Sequence, residues 1–115
     1  MSLTIQIDKQ PNASVVTLEG RLDVLTSDQL SQQILDAINA GAPNLLVDLG
    51  GLEYVSSSGL RVFLQARKAL KPKGGQVILC RVNKFVSEVL TAVGFDAIFP
   101  IATSVDEGMK KLPGA

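Results

Sequence analysis

Five consecutive residues, Leu45-Leu46-Val47-Asp48-Leu49, are apolar except for one acid. Successive side chains of a strand point to opposite sides, and here neither side is polar apart from Asp48. A short run of this kind suits a strand covered on both faces, as in the centre of a parallel sheet flanked by crossover helices. This segment already points to an α/β fold.

The other segments fit around it. Thr4 to Asp8 alternates with Ile5 and Ile7 on one side, and Val16 and Leu18 alternate with Thr17 and Glu19 beyond a Pro11-Asn12 turn. That predicts an antiparallel hairpin, closed by Gly20-Arg21-Leu22-Asp23. Thr26 has the position of a helix N-cap, with Gln29 three residues on to complete a capping box. Leu30, Ile34, Leu35 and Ile38 follow as a helical stripe, Gly41 is the stop, and Pro43 blocks continuation. Gly50 to Val55 reads as a loop. It leads to Ser56-Ser57-Ser58-Gly59 and a second helix with Leu60, Phe63, Leu64 and Leu70 on one stripe. Arg67 falls inside that stripe, which suits a packed stem and a solvated head.

Lys71 to Gly75 is a loop by composition, and Gln76 to Cys80 is a second buried-type strand. Asn83 caps a third helix carrying Phe85, Val86, Val89, Leu90 and Val93, stopped by Gly94. Ala97 to Ile101 reads as a last strand, placed at an edge by Pro100. Ser104, with Glu107 at N3, caps a final helix running to about Leu112. The order β-β-α-β-α-β-α-β-α predicts one α/β domain over residues 1–115. Its sheet is mixed, with four to five strands and about four helices mainly on one side.

Composition narrows the function. The chain has 115 residues, 11 Lys+Arg against 11 Asp+Glu, no His and one Cys. Without His, Ser-His-Asp and Cys-His catalysis cannot occur within the chain. A single Cys excludes a disulfide framework and a multi-Cys metal site, and suggests a reducing compartment. Zero net charge argues against a nucleic-acid partner. No apolar run is long enough to span a membrane, and the N-terminus lacks the pattern of a signal peptide. The expectation is a cytoplasmic protein with no cofactor and no metal that is not an enzyme.

The densest polar feature is Ser56-Ser57-Ser58-Gly59, between a buried strand and a helix. One serine is needed as N-cap, and three are more than capping requires. The plain reading is a strand-to-helix loop of small residues. The functional reading is a modification site, because a helix start favours an anion by about 0.3–2 kcal/mol. A phosphoryl group on an exposed hydroxyl adds about −1.5 to −2 charge, which a partner docked there would have to desolvate or repel.

The whole chain resembles a bacterial STAS domain of the anti-sigma factor antagonist family. The matching pieces, in order, are Leu18-Glu19-Gly20-Arg21-Leu22-Asp23, Leu46-Val47-Asp48-Leu49, Tyr54-Val55-Ser56-Ser57-Ser58-Gly59-Leu60, Gly74-Gly75-Gln76-Val77 and Leu90-Thr91-Ala92-Val93-Gly94-Phe95. The family pattern at the loop is Asp-Ser-(Ser/Thr)-Gly-Leu, with the Ser after the Asp as phosphoacceptor. By position the acceptor is Ser57, and Ser56 stands where the family usually has Asp. The resemblance implies partner switching. The unphosphorylated domain binds a serine-kinase anti-sigma factor, phosphorylation of Ser57 breaks the complex, and a metal-dependent serine phosphatase restores it. A coupling of ~3–4 kcal/mol lowers affinity several hundred-fold, enough for a switch. The expected contact surface is Asp23, Thr26, Ser56, Ser58, Gly59, Arg61 and Val62. Two other readings stay open: a STAS module acting on a signalling enzyme, and a nucleotide-binding or structural STAS domain.

Other features are read more plainly. Asp48 anchors its adjacent loop, since the acid pair and the Lys of a receiver domain do not appear. Gly50-Gly51 and Gly74-Gly75 are turns without the Lys-Ser/Thr of a phosphate loop. Cys80 is a small core residue. Arg61, Arg67, Lys68, Lys71 and Lys73 form a solvated basic face that could steer an acidic partner.

Overall fold

The computed structural model describes residues 2–112; Met1 and residues 113–115, the ends of the expected domain, lie outside the described residues. The strands are β1 (Leu3–Lys9), β2 (Ser14–Leu22), β3 (Leu45–Val55), β4 (Val77–Cys80) and β5 (Ile101–Ala102). The helices are α1 (Val24–Asn39), α2 (Ser57–Leu70), α3 (Lys84–Ala92) and α4 (Val105–Lys110). Short 3-10 turns cover Lys71–Lys73 and Phe95–Ala97.

The sheet order is β1-β2-β3-β4-β5, with β1 antiparallel to β2 and all other pairs parallel. Three successive right-handed crossovers stepping the same way place their helices on one face. Leu30, Ile34 and Ile38 of α1, Phe63 and Leu70 of α2 and Leu90 of α3 accordingly pack with Val16, Leu18, Val47 and Leu79 in one core. On the other face, Val105 and Met109 of α4 cover Val15, Leu46, Ile78 and Cys80. The run at 45–49 is thus buried on both sides, as its composition required, with helices three to one.

Several local expectations are corrected. Gly50 to Val55 is not a loop: β3 runs on through it, pairing with Glu19–Leu22 across two register shifts. Gly50 and Gly51 are therefore strand positions rather than turns. A Cβ at Gly50 would lie 2.7 Å from the Arg81 guanidinium carbon, and one at Gly51 would lie 2.8 Å from Glu19 Cγ. The two glycines mark close approach. Likewise Gly20-Arg21-Leu22 continues β2 instead of closing the hairpin.

The α1 cap is Asp23, not Thr26. Asp23 Oδ1 accepts from the backbone N–H groups of Leu25 and Thr26, and Thr26 Oγ1 accepts from Asp23 N in return. The box exists three residues earlier than expected, with Thr26 as its N3 member rather than Gln29. On α1 and α2, Leu35 and Leu64 are exposed, while Val62 and Ala66 join the buried face. On α3, Val86 and Leu90 are buried, but Phe85 and Val93 are exposed.

The last strand is only Ile101–Ala102, because Phe95 and Phe99 turn inward to pair their rings 5.1 Å apart and the chain curls to place them. Pro100 lies just outside β5, and β5 is an edge strand. The caps at Asn83 and Ser104 are as read, donated to by Val86 N and Glu107 N. Gly94 stops α3 with a left-handed φ of 79°.

Candidate functional site

The extension of β2 and β3 past the rest of the sheet delivers two helix starts side by side. Ser56 N donates to Leu22 O at 2.8 Å, which ties the end of β3 to the end of β2. Gly59 lies directly against Leu22: a Cβ there would be 2.6 Å from Leu22 Cγ and 3.2 Å from Leu22 O. Only a residue without a side chain lets α2 start this close to the Asp23 turn.

The three serines divide the work. Ser56, in extended backbone, is the N-cap of α2, and its Oγ accepts from Gly59 N at 3.2 Å. Ser58 is half-buried and lines a groove of about 160 Å³ between α1 and α2, with Ser27, Asp28, Ser31, Arg61 and Gln65. Ser57 is exposed, and among the described residues its hydroxyl has no hydrogen-bond partner. Among the described residues the Ser58 hydroxyl also has no hydrogen-bond partner but is half-buried, so Ser57 is the uncommitted hydroxyl that stands fully open to solvent. The Asp23 carboxylate offsets the positive end of the α1 dipole as its N-cap, whereas α2 carries no acidic residue at its cap or in its first turn.

Of the other expected contacts, Asp23 and Ser56 are half-buried and Arg61 is exposed. Thr26 and Gly59 are not surface residues, and Val62 is buried but lines the groove. Thr26 is 8% exposed and donates its hydroxyl to Arg21 O at 2.9 Å; Val62 is 4% exposed and belongs to the core. These three shape the frame beneath the surface. Within the expected Asp23–Thr26 loop, Val24 and Leu25, which sequence reasoning did not single out, are 69% and 88% exposed in the first turn of α1. Their signal was available: two apolar residues directly after an Asp, out of phase with the Leu30-Ile34-Ile38 stripe.

The remaining candidates are structural. Asp48 is buried, accepts from Gly50 N at 2.9 Å and pairs with Arg81 Nη1 at 3.1 Å. It anchors the bulged part of β3, where a loop was expected, and offers no free carboxylate. Arg81 holds this pair from a left-handed φ of 54°. Arg21 stacks 4.2 Å over the Tyr54 ring on the extended part of the β2–β3 ladder. Cys80 is buried, and desolvation, then the nearby carboxylates of Asp48 and Glu107, push its thiol up from 9.0 to about 11. Among the described residues no group of His, Cys, Asp or Glu could hold a metal ion, and no helix is long and apolar enough to cross a membrane.

A five-stranded mixed sheet, three helices on one face and a serine-bearing helix start at the end of its longest parallel strand define a STAS domain. The STAS family model matches residues 4–108, and the chain belongs to this family. Its relatives include the anti-sigma F factor antagonist of Paenibacillus polymyxa, 34% identical over 102 residues, covering 88% of this chain and 87% of that protein. The crystal structure of an anti-sigma factor antagonist from Mycobacterium paratuberculosis superposes with a TM-score of 0.84 at 25% identity, covering 96% and 94% of the two chains. The Bacillus cell fate determinant SpoIIAA shares the fold. Its unphosphorylated form matches at TM-score 0.76 and 21% identity over 97% of this chain and all of that one; its phosphorylated form matches at 0.72 and 24% over 90% and 95%.

Proposed function

We propose that this chain is an anti-sigma factor antagonist that works by partner switching, with Ser57 as its phosphoacceptor. The carrying observation is the division of labour among the serines. Ser56 caps the helix, Ser58 lines the groove, and Ser57 leaves a free hydroxyl where two helix N-termini meet.

In its unphosphorylated form the domain docks a serine-kinase anti-sigma factor and so frees a sigma factor for transcription. The docking surface is Asp23, Ser56, Ser58 and Arg61 around Ser57, together with the exposed Val24 and Leu25. Two large apolar side chains held in solvent suit an interface anchor. Within the complex, Ser57 Oγ attacks the γ-phosphorus of ATP held by the kinase; its proton passes to a base of the kinase and ADP leaves. The added charge of about −1.5 to −2 is tolerated by the helix start that carries it, and is costly against a desolvated apolar contact. A metal-dependent serine phosphatase reverses the step. The chain supplies no catalytic group of its own, and the cytoplasm is the compartment such partners imply.

A nucleotide-binding role has less support. The parallel strands β2-β3-β4-β5 lie in chain order without reversal, and α/β sheets bind nucleotides at the crevice such a reversal opens.

The test is incubation with a serine-kinase anti-sigma factor and ATP, read by intact mass and peptide mapping. One phosphoryl group on Ser57 is expected, with none on the Ser57→Ala chain. The Ser57→Asp chain should lose at least tenfold in affinity for the kinase while keeping its melting temperature. Labelling carried by Ser58, or undiminished binding by Ser57→Asp, overturns the assignment.

A further inference from the structure

At the opposite end of the sheet from Ser57 lies a second concave site. Strands β2–β5 run parallel, so Ser57 sits at their carboxyl end and the first residue of β4, Val77, at their amino end. The β4–β5 ladder begins only at Leu79↔Ile101, so Val77 and Ile78 run without a strand partner on that side. The short β5 and the non-donating Pro100 before it are the reason. The gap they leave is a half-open cavity of about 250 Å³ between the end of α2 and the segment entering β5.

Its lining combines two chemistries. Val77, Ile98 and Pro100 make apolar walls, and Arg67 and Lys71 stand beside them with Gln76. Ile98 is 41% exposed, and no lining residue is acidic. Among the described residues neither Arg67 nor Lys71 is in an ion pair; the one pair formed is Arg81 with Asp48. Arg67 is half-buried, its stem in the helical stripe. Lys68 and Lys73, next to these cations in sequence, are exposed and add to the positive charge at this end of α2.

We propose that this cavity docks an acidic peptide segment of a protein partner, with one large apolar side chain as its anchor and neighbouring carboxylates on Arg67 and Lys71. Size selects a peptide. Small-molecule sites run from roughly 300 to 1,000 Å³ and enclose most of the ligand, whereas this one is smaller and open on one side. It accepts a single side chain, with the rest of the segment lying across the rim. Charge selects the acidic partner, since two unpaired cations at an apolar mouth repel basic sequences and attract carboxylates. Placed at the far end of the sheet, the site leaves Ser57 uncovered, so the domain can hold a second protein while its switch surface is engaged or phosphorylated. The proposal does not depend on the role assigned to Ser57.

The experiment titrates the ¹⁵N-labelled full chain with an acetylated, amidated peptide, Asp-Glu-Leu-Phe-Glu-Asp. Controls are its lysine counterpart, Lys-Lys-Leu-Phe-Lys-Lys, and free 3-phenylpropanoate. Saturable shifts are expected at Gly75, Gln76, Val77 and Ile98 with the acidic peptide. Affinity should fall at least tenfold in the Arg67→Glu/Lys71→Glu chain, and should be unchanged in Ser57→Asp. Equal binding of the lysine peptide overturns the charge argument. Equal affinity for 3-phenylpropanoate makes the cavity a small-molecule site and overturns the peptide. No shift at millimolar acidic peptide, or undiminished binding by the charge-reversed chain, overturns the site itself.

Discussion

Replacing each of the first two serines by alanine separates capping from modification. Ser56→Ala deletes the only acceptor, among the described residues, of the Gly59 N–H at the start of α2, a bond of 3.2 Å. Loss of a serine N-cap costs about 0.5–2 kcal/mol, and this rather long bond belongs to the lower half, about 0.5–1 kcal/mol. At ~2.1 cal/mol/K of unfolding entropy per residue, a chain of 115 residues has a slope of roughly 0.24 kcal/mol/K, so 1 kcal/mol moves Tm by about 4 °C. Ser56→Ala should therefore melt about 2–4 °C lower. Ser57→Ala removes an exposed hydroxyl with no partner and substitutes a better helix former, so its Tm should be unchanged or rise by about 1 °C. Phosphorylation follows the opposite pattern, retained in Ser56→Ala and lost in Ser57→Ala. Calorimetry and intact mass spectrometry on the same preparations read both properties. If Ser57→Ala melts as low as Ser56→Ala, or if labelling survives in Ser57→Ala and fails in Ser56→Ala, the roles given to the two serines are wrong.

Three further outcomes are expected. Gly59→Ala drives a Cβ to 2.6 Å from Leu22 Cγ and should cost about 1–3 kcal/mol, lowering Tm by about 4–12 °C, because the helix start must move off β2; an unchanged Tm would show that the approach is not tight. Leu25→Glu should leave Tm within about 2 °C, since the side chain is 88% exposed, yet weaken binding of the kinase at least tenfold in isothermal titration; full affinity would remove α1 from the docking surface. Burial keeps the Cys80 thiol neutral to about 11 against an ordinary 9.0, so the native state holds its proton after the unfolded chain has released it. Its contribution is complete below about pH 9 and fades as pH rises toward about 11. The gap in urea midpoint between the native sequence and Cys80→Ala should narrow over that window, and a constant gap would contradict the burial argument.

Much of this protein is written locally. The double-sided burial of 45–49, the caps at Asn83 and Ser104, the stop at Gly94 and the edge position marked by Pro100 each follow from one residue's chemistry and its near neighbours, and each is found in the fold. The serine run was legible as the candidate site for the same reason. Three serines at a helix start exceed what capping uses.

The rest depends on contacts between residues far apart in the chain. Whether Gly50-Gly51 turns or extends is decided by pairing with Glu19 and by the Arg81–Asp48 bridge behind it. Thr26 and Asp23 are both good caps by residue type. Asp23 takes the role at the end of an extended β2, whose Leu22 carbonyl also receives Ser56 N. That bond, with Gly59 packed on Leu22, brings the two helix starts together and turns Val62 inward. A single sequence therefore determined that a run of serines opens this helix as a candidate site and that the sheet is parallel at its centre. Only the tertiary structure decided which serine is free and which neighbours reach the surface, because exposure is a property of the packed neighbours and not of the residue itself.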